Sequence, residues 1–285
     1  MADLITTTVG SGVPPGCHLE TKSEQFPDGC GFPAPGVDIF QFEPIVSFHL
    51  FGIDFNIGKP ILIVFICSVL MLLFFFFAFA KPKLVPTKIQ SLGELAYTFI
   101  RDQISRETIG KAGDKFIPFL FTLFFFVFFM NVMGIIPFAQ FPPSALFVYP
   151  VMLAMMVWVT YMYIGMKKQG PVKFFTNMMF PPGVPKGVLG ILAPIEFLSN
   201  ILVRPFTLAV RLMANMFAGH LLLTVFIVAS VYLMSFTAVG IIGSTASFVM
   251  TVIMTAFEFM IEALQAYIFT LLTASYIAGS LVNEH

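Results

Sequence analysis

Apolar residues along this chain fall into five blocks separated by short charged or Pro/Gly-rich stretches. Three have ordinary length, Pro60 to Ala80, Phe116 to Phe138 and Leu146 to Met166. Each is close to the ~20 residues a helix needs to cross about 30 Å of hydrocarbon. Two longer blocks follow, Val188 to about Met234 and about Ile241 to Val282. As helix at ~1.5 Å per residue they would run for about 60 to 70 Å, so each must tilt steeply, break or fold back. Pro194 and Pro205 are candidate breaks in the first of them. Between the first two blocks, Thr87 to Ile109 sets Ile89, Leu92, Leu95, Ala96, Phe99 and Ile100 on one helical face and Glu94, Arg101, Asp102 and Arg106 on the other. That spacing predicts an amphipathic helix on the membrane surface. The pattern as a whole predicts an all-α polytopic membrane protein. It has about five crossing helices, the last two long and strongly tilted, plus the surface helix. No internal repeat is evident. Residues 1–57 read as a separate N-terminal segment ahead of a membrane domain at 58–285.

Composition narrows the function classes. Only 11% of the 285 residues are charged and the formal net charge is zero, where a soluble chain is nearer a quarter charged. No basic face is available for a phosphate backbone and no acidic tail for cationic partners, so nucleic-acid binding is excluded. The positions of the charges set the topology. Eleven cations occupy two loops: Lys81, Lys83, Lys88, Arg101, Arg106, Lys111 and Lys115 after the first span, and Lys167, Lys168, Lys173 and Lys186 after the third. Under five crossings both loops lie on one side, which the positive-inside rule makes the cytoplasm. The other side carries Lys22 and Lys59, and its connections around Ala139 to Ala145 and Ser235 to Gly240 hold no Lys or Arg. The N-terminus is therefore expected outside and the terminal Asn283, Glu284 and His285 in the cytoplasm. Cys67 sits inside an apolar block and reads as a small hydrophobe. Cys17 and Cys30 lie in a leader without the basic and apolar regions of a cleaved signal, so it is expected in the mature chain. Whether the two bond is left open by the residues.

Two cations remain, Arg204 and Arg211, both inside the fourth block. A mid-membrane Arg costs at least about 2.5–3.5 kcal/mol, so function or assembly must offset it. At ~100° per residue, Glu196, Asn200, Arg204, Thr207, Arg211 and Asn215 fall within about 100° of arc. Thr251, Thr255, Glu258, Glu262 and Gln265 form a similar stripe in the last block, within roughly 80°. The two stripes predict a polar seam inside the bilayer. Arg stays protonated and offers donors only, so Arg211 serves as a fixed charge and not as a proton carrier. Glu196, His220, Glu258 and Glu262 are the groups able to bind and release protons. Plainer readings stand beside these. Glu196 follows Pro194 near a helix start and suits the positive end of the helix dipole, Arg204 lies near enough to the interface to snorkel, and His220 is as well suited to hydrogen bonding between helices. Glu262 either pairs with a polar neighbour or lines the same path as Glu258. Asn131, lone in the second span, reads as packing glue. No phosphate loop, HExxH or Cys/His metal spacing is found, so no cofactor, metal or directly bound nucleotide is expected.

The run Arg204-Pro-Phe-Thr-Leu-Ala-Val-Arg211-Leu-Met-Ala-Asn215-Met-Phe-Ala-Gly219-His220 closely resembles the signature of subunit a of the bacterial F-type ATP synthase. A second signature agrees, from Glu258 through Leu264-Gln265-Ala266-Tyr267-Ile268-Phe269 to Leu271-Leu272-Thr273. Pro194-Ile195-Glu196 and Phe128-Phe129-Met130-Asn131 resemble further landmarks, and the likeness extends from about Lys59 onward. The resemblance implies a proton-conducting stator subunit with no covalent chemistry of its own, working with a c-subunit ring, the b subunits of a peripheral stalk and the remaining F1Fo subunits in the cell membrane. Arg211 would face the ring carboxylate and block direct leakage between two offset half-channels, with Asn215 and Gln265 near it. His220 and Glu258 would feed the outward half-channel, and Glu196 would flank the cytoplasmic one. Asn200, Arg204 and Glu262 are further members of the polar seam. Gly134 departs from relatives that carry an acid near the end of the second span. A secondary ion- or proton-coupled transporter, with its site at the bilayer midplane, is the competing class; the odd number of spans and the missing repeat weigh against it.

Overall fold

A computed structural model describes residues 46–50, 53–80, 83, 85–136, 139–179, 186–234 and 238–281. The leader cysteines Cys17 and Cys30, Lys22 and the terminal Asn283 to His285 lie outside the described residues. An antiparallel hairpin of β1 (Val46–Leu50) and β2 (Ile53–Ile57) comes first, in register Val46 to Ile57 and Leu50 to Ile53. The hydrophobic pattern assigns no element there, because five residues of alternation are too short to stand out beside blocks of 20. Everything described after Gly58 is helix and connection. Five helical runs are long and apolar enough to cross a membrane: Lys59–Phe79, Lys111–Val132, Val148–Gln169, Leu192–Tyr232 and Gly240–Leu281. The chain is an all-helical multi-pass membrane protein over this region.

The first crossing helix, α1 (Lys59–Phe79), starts with Pro60 in its first turn, where a missing N–H costs nothing. The surface helix α2 (Lys88–Phe99) begins at Thr87, whose hydroxyl accepts from the Gln90 backbone N–H, and runs on as a π-helical turn over Ile100–Arg106. Ile89, Leu92 and Leu95 stay exposed on its apolar side, and Gly93 sits against Ala78 and Phe79 of α1. On the polar side Arg101 pairs with Asp102, and Arg106 with Asp102 and Asp114. The Arg101 hydrogen bonds beside Asp102 hold its carboxyl below the ordinary carboxylate range.

The second crossing helix, α3 (Ile117–Val132), follows a 3-10 turn at Lys111–Phe116 and ends six residues before the apolar block does. Residues 133–136 turn, and a short 3-10 turn at Pro143–Ala145 packs back against the bundle with Phe141, Pro143, Ser144 and Ala145 buried. Hydropathy alone reads this stretch as span followed by loop. Its prolines cannot continue a helix ladder, and the stretch instead forms a buried turn against the bundle. A Cβ at Gly134 would lie 3.2 Å from the Asn131 carbonyl oxygen and from two Pro142 ring carbons, so an acidic side chain has no room there without movement.

Next come α4 (Val148–Gln169), with Lys167 and Lys168 in its last turn where cations suit the helix dipole, and α5 (Pro171–Met179). Then α6 (Lys186–Leu198), a π turn at Ser199–Val203 and α7 (Arg204–Tyr232) form one continuous run. Pro194 is absorbed inside α6 and Pro205 lies in the first turn of α7, so neither breaks the chain; the π turn between them takes up the irregularity. The last helix, α8 (Ala238–Leu281), is 44 residues long. The spanning runs of 41 and 42 residues are about 60 Å of helix. Against about 30 Å of hydrocarbon they lie strongly tilted, and neither folds back.

Lipid offers no hydrophobic drive for helices to associate, so close packing and polar contacts must hold them. The core joins α3, α4, α7 and α8 through Leu120, Val127, Leu153, Val157, Leu212, Met216, Phe269 and Ile277. Edge-on phenylalanine pairs tie in the periphery: Phe75 of α1 to Phe121 and Phe125 of α3, and Phe128 of α3 to Phe259 of α8. Phe99 anchors the surface helix to Phe124 and Tyr267. The outer face of α1 keeps Phe65 and Phe77 about two-thirds exposed, as a lipid-facing helix requires.

Candidate functional site

The polar seam lies where α7 packs along α8. On α7, Arg211 and Asn215 are exposed at the surface of the subunit, while Leu212 and Met216, the residues that follow each of them, are buried against the core. No described carboxylate pairs with Arg211. One turn on, Asn215 Nδ2 donates to Gln265 Oε1 of α8 at 2.7 Å. Gln265 is buried, and its own Nε2 finds no acceptor among the described residues.

The stripe on α8 separates into satisfied and unsatisfied groups. Thr251 and Thr255 donate to the carbonyls of Ser247 and Thr251 on their own helix. Glu258 and Glu262 are 4% and 0% exposed, and none of their four carboxyl oxygens has a hydrogen-bond partner among the described residues. The Glu258 carboxyl lies over the backbone of α7 at Gly219: a Cβ there would be 3.5 Å from Oε1. The adjacent His220 is buried and meets the Phe141 ring edge-on at 6.2 Å. His220 and Glu258 thus occupy neighbouring levels of the seam with no direct hydrogen bond between them. Lys59, at the start of α1, is in electrostatic range of the His220 imidazole.

A second polar group lies toward the start of α7. Asn200 is buried in the π turn; its Nδ2 donates to the Glu196 carbonyl at 2.8 Å and reaches Glu196 Oε2 at 3.4 Å. The Tyr161 hydroxyl of α4 donates to the Asn200 carbonyl at 2.7 Å. The Arg204 guanidinium sits 5.3 Å from the centre of the Tyr276 ring, which lies 5.6 Å from that of Tyr161. Arg204 is therefore half-buried against an aromatic face. Asn131 of α3 is buried and accepts from the Ser144 hydroxyl at 2.6 Å, which fixes the buried turn to the helix before it.

The predicted residues thus divide into two sets about two to three turns apart on α7. Asn215, Gln265, Glu262, Glu258 and His220 form one, Glu196, Asn200 and Arg204 the other, and Arg211 lies between them. Lys59, Phe141, Tyr161 and Tyr276 join these sets without having been picked out as candidates. Tyr276 alone carried a usable signal, lying about three turns beyond Gln265 on the same helical stripe. The other three come from elements whose contact with the seam depends on tertiary packing.

Residues 61–278 match the sequence profile of the family described as ATP synthase A chain. The chain is 50% identical over 268 residues to ATP synthase subunit a of Streptomyces lividans, covering 94% of both chains. It is 40% identical to the proteins of that name from Frankia alni and from a Nocardioides species, over 257 and 269 residues. These alignments cover 90% of this chain, with 88% of the first relative and 96% of the second.

Proposed function

The chain belongs to the ATP synthase A chain family, and on that premise we propose that it is the proton-conducting stator subunit of an F1Fo complex. It forms two offset half-channels that pass protons to and from the carboxylates of a c-subunit ring, coupling the proton-motive force to ATP synthesis on other subunits. Its partners are that ring, the b subunits of the peripheral stalk and the remaining F1Fo subunits, in the cell membrane with the N-terminus outside and the C-terminus cytoplasmic. It performs no covalent chemistry itself.

The observation that carries this reading is Arg211, a permanent cation in a spanning helix, exposed on the outer face of the subunit and paired with no described carboxylate. A charge so placed is costly against lipid and calls for an anionic partner on another chain. A ring carboxylate that alternates between charged and neutral is such a partner. As it passes Arg211 it releases its proton, and the fixed positive charge keeps a free proton from crossing directly between the half-channels. His220 and Glu258 hold protons on the outward side, the amides of Asn215 and Gln265 orient the groups beside them, and Glu196 with Asn200 lines the cytoplasmic exit.

Replacing Arg211 by Ala tests the reading. The expected outcome is loss of proton-driven ATP synthesis in membrane vesicles that still contain the assembled complex, measured as ATP formed under an imposed pH gradient. Undiminished synthesis would overturn it.

A further inference from the structure

Glu262 is the most deeply buried carboxyl of the seam, and neither half-channel in the reading above needs it. It lies one turn from Glu258 on α8, about 6 Å along the axis. Neither carboxyl has a hydrogen-bond donor among the described residues. Three residues on, Gln265 shows the complementary deficit: its Oε1 accepts from Asn215 and its Nε2 has no acceptor. Acceptors lacking a donor and a donor lacking an acceptor therefore share one buried face of one helix, at the i, i+3 spacing that brings side chains together.

A purely structural carboxylate would be an expensive choice at this position. An ionised, unpaired carboxylate in a dry interior costs several kcal/mol or more, and two within a turn repel. A proton resolves both problems, because the O–H of one carboxyl supplies the donor that the other lacks. We propose that Glu262 is a proton-carrying residue of the outward path, taking the proton from Glu258 and delivering it toward the ring-facing surface beside Asn215. In the first step an O–H bond breaks on Glu258 and one forms on Glu262, and the negative charge moves one turn the other way. In the second the O–H of Glu262 breaks and the proton joins a ring carboxylate. The Gln265 amide carries no proton; its Nε2 donates to the Glu262 oxygen that bears the charge between the two steps and links that event to Asn215. The inference rests on the proton-path reading above.

The test uses the assembled complex in inverted membrane vesicles. Passive proton conduction after removal of F1 is read with a pH-sensitive dye and normalised to the amount of this subunit in the membrane. Glu262→Gln keeps shape and hydrogen-bonding capacity, so a structural role would survive it, whereas conduction is expected to fall by about tenfold or more if a proton must be held there. Glu262→Asp should retain much of the native flux and Glu262→Asn, of the same length, should not. Native flux in Glu262→Gln, or equal flux in the Asp and Asn variants, would overturn the proposal. If Gln disturbs assembly, the Asp and Asn pair decides alone. Glu258→Gln, read by passive conduction, and Arg211→Ala, read by proton-driven ATP synthesis, serve as controls: if both leave their readouts unchanged, the underlying path is wrong, and if both readouts are lost while Glu262→Gln conducts as native, only the role of Glu262 falls.

Discussion

Gly219 sets how closely α7 approaches Glu258, and enlarging it asks whether the position of that carboxyl matters. A Cβ at Gly219 would stand 3.5 Å from Glu258 Oε1, 3.7 Å from Cγ and 3.8 Å from Cδ. These are ordinary contact distances, so Gly219→Ala fits with nothing displaced and gains up to about 1 kcal/mol of helix propensity. Gly219→Val adds a bond of ~1.5 Å and can bring a γ-carbon within ~2 Å of the carboxyl oxygen, where ~3.5 Å is the normal separation. Relief requires Glu258 to move by about 1 Å or more. Overpacking of that kind costs about 1–3 kcal/mol of stability, which an assembled complex tolerates. A misplacement of about 1 Å in a group that handles the reacting proton can cost about 100-fold in rate. Passive proton conduction in F1-stripped vesicles, normalised to subunit content, separates the two effects. Gly219→Ala should conduct within about twofold of native, as a change of less than about 0.5 kcal/mol implies, while Gly219→Val should fall by about tenfold to 100-fold. Native conduction in the Val variant, or equal impairment in both, would refute the argument.

Two further outcomes concern packing. A Cβ at Gly165 would come within 2.2 Å of a ring carbon of buried Phe174 and 2.7 Å of two more, so Gly165→Ala should lower thermal stability in detergent by about 1–3 kcal/mol. Adding Phe174→Leu should recover most of it, and an unchanged melting temperature for Gly165→Ala would contradict the predicted clash. Asn131→Leu strands the Ser144 hydroxyl that now bonds Asn131 at 2.6 Å and should cost about 1–3 kcal/mol. The double variant with Ser144→Ala should be closer to native, because it removes the stranded hydroxyl as well; a double-mutant cycle with no coupling energy would count against the pairing.

What could be read from the sequence follows from how physical signals scale with length. Blocks of 20 or more apolar residues are hard to mistake in a chain with few charges, so all five spanning runs and the surface helix were legible, the latter to within about a turn. The stripe of Thr251 to Gln265 was legible for the same reason, since on a single long helix periodicity decides which residues share a face; that of Glu196 to Asn215 crosses the π turn at Ser199–Val203, where Asn200 is buried while Arg211 and Asn215 are exposed. The β1–β2 hairpin, the early end of α3 and the burial of residues 141–145 were not legible. Hydropathy treats an apolar turn and an apolar span alike, and only the local ban that proline places on helix continuation distinguishes them. The partners of Arg204 and His220 were hidden more deeply, since Tyr276 and Phe141 meet them through the packing of separate elements.

Burial in this seam sorts the ionisable residues by what protons can do for them. A carboxyl becomes neutral by binding a proton, so Glu258 and Glu262 survive at 4% and 0% exposure with no donor from the described residues. Arginine has no such escape at any physiological pH. Arg204 instead lies over the face of Tyr276, where an aromatic quadrupole offsets part of the lost hydration. Arg211 has neither an aromatic face nor a carboxylate among the described residues, and it is exposed where Arg204 is half-buried. If lipid covered it, the chain would bear a charge penalty that a substitution by Gln or Leu would remove. On the proposed reading, a ring carboxylate passing at that level would turn the same exposure into the point where a proton path and a moving partner meet. On that reading the arrangement is incomplete as an isolated subunit, and a second, acidic surface within the membrane would balance its charge.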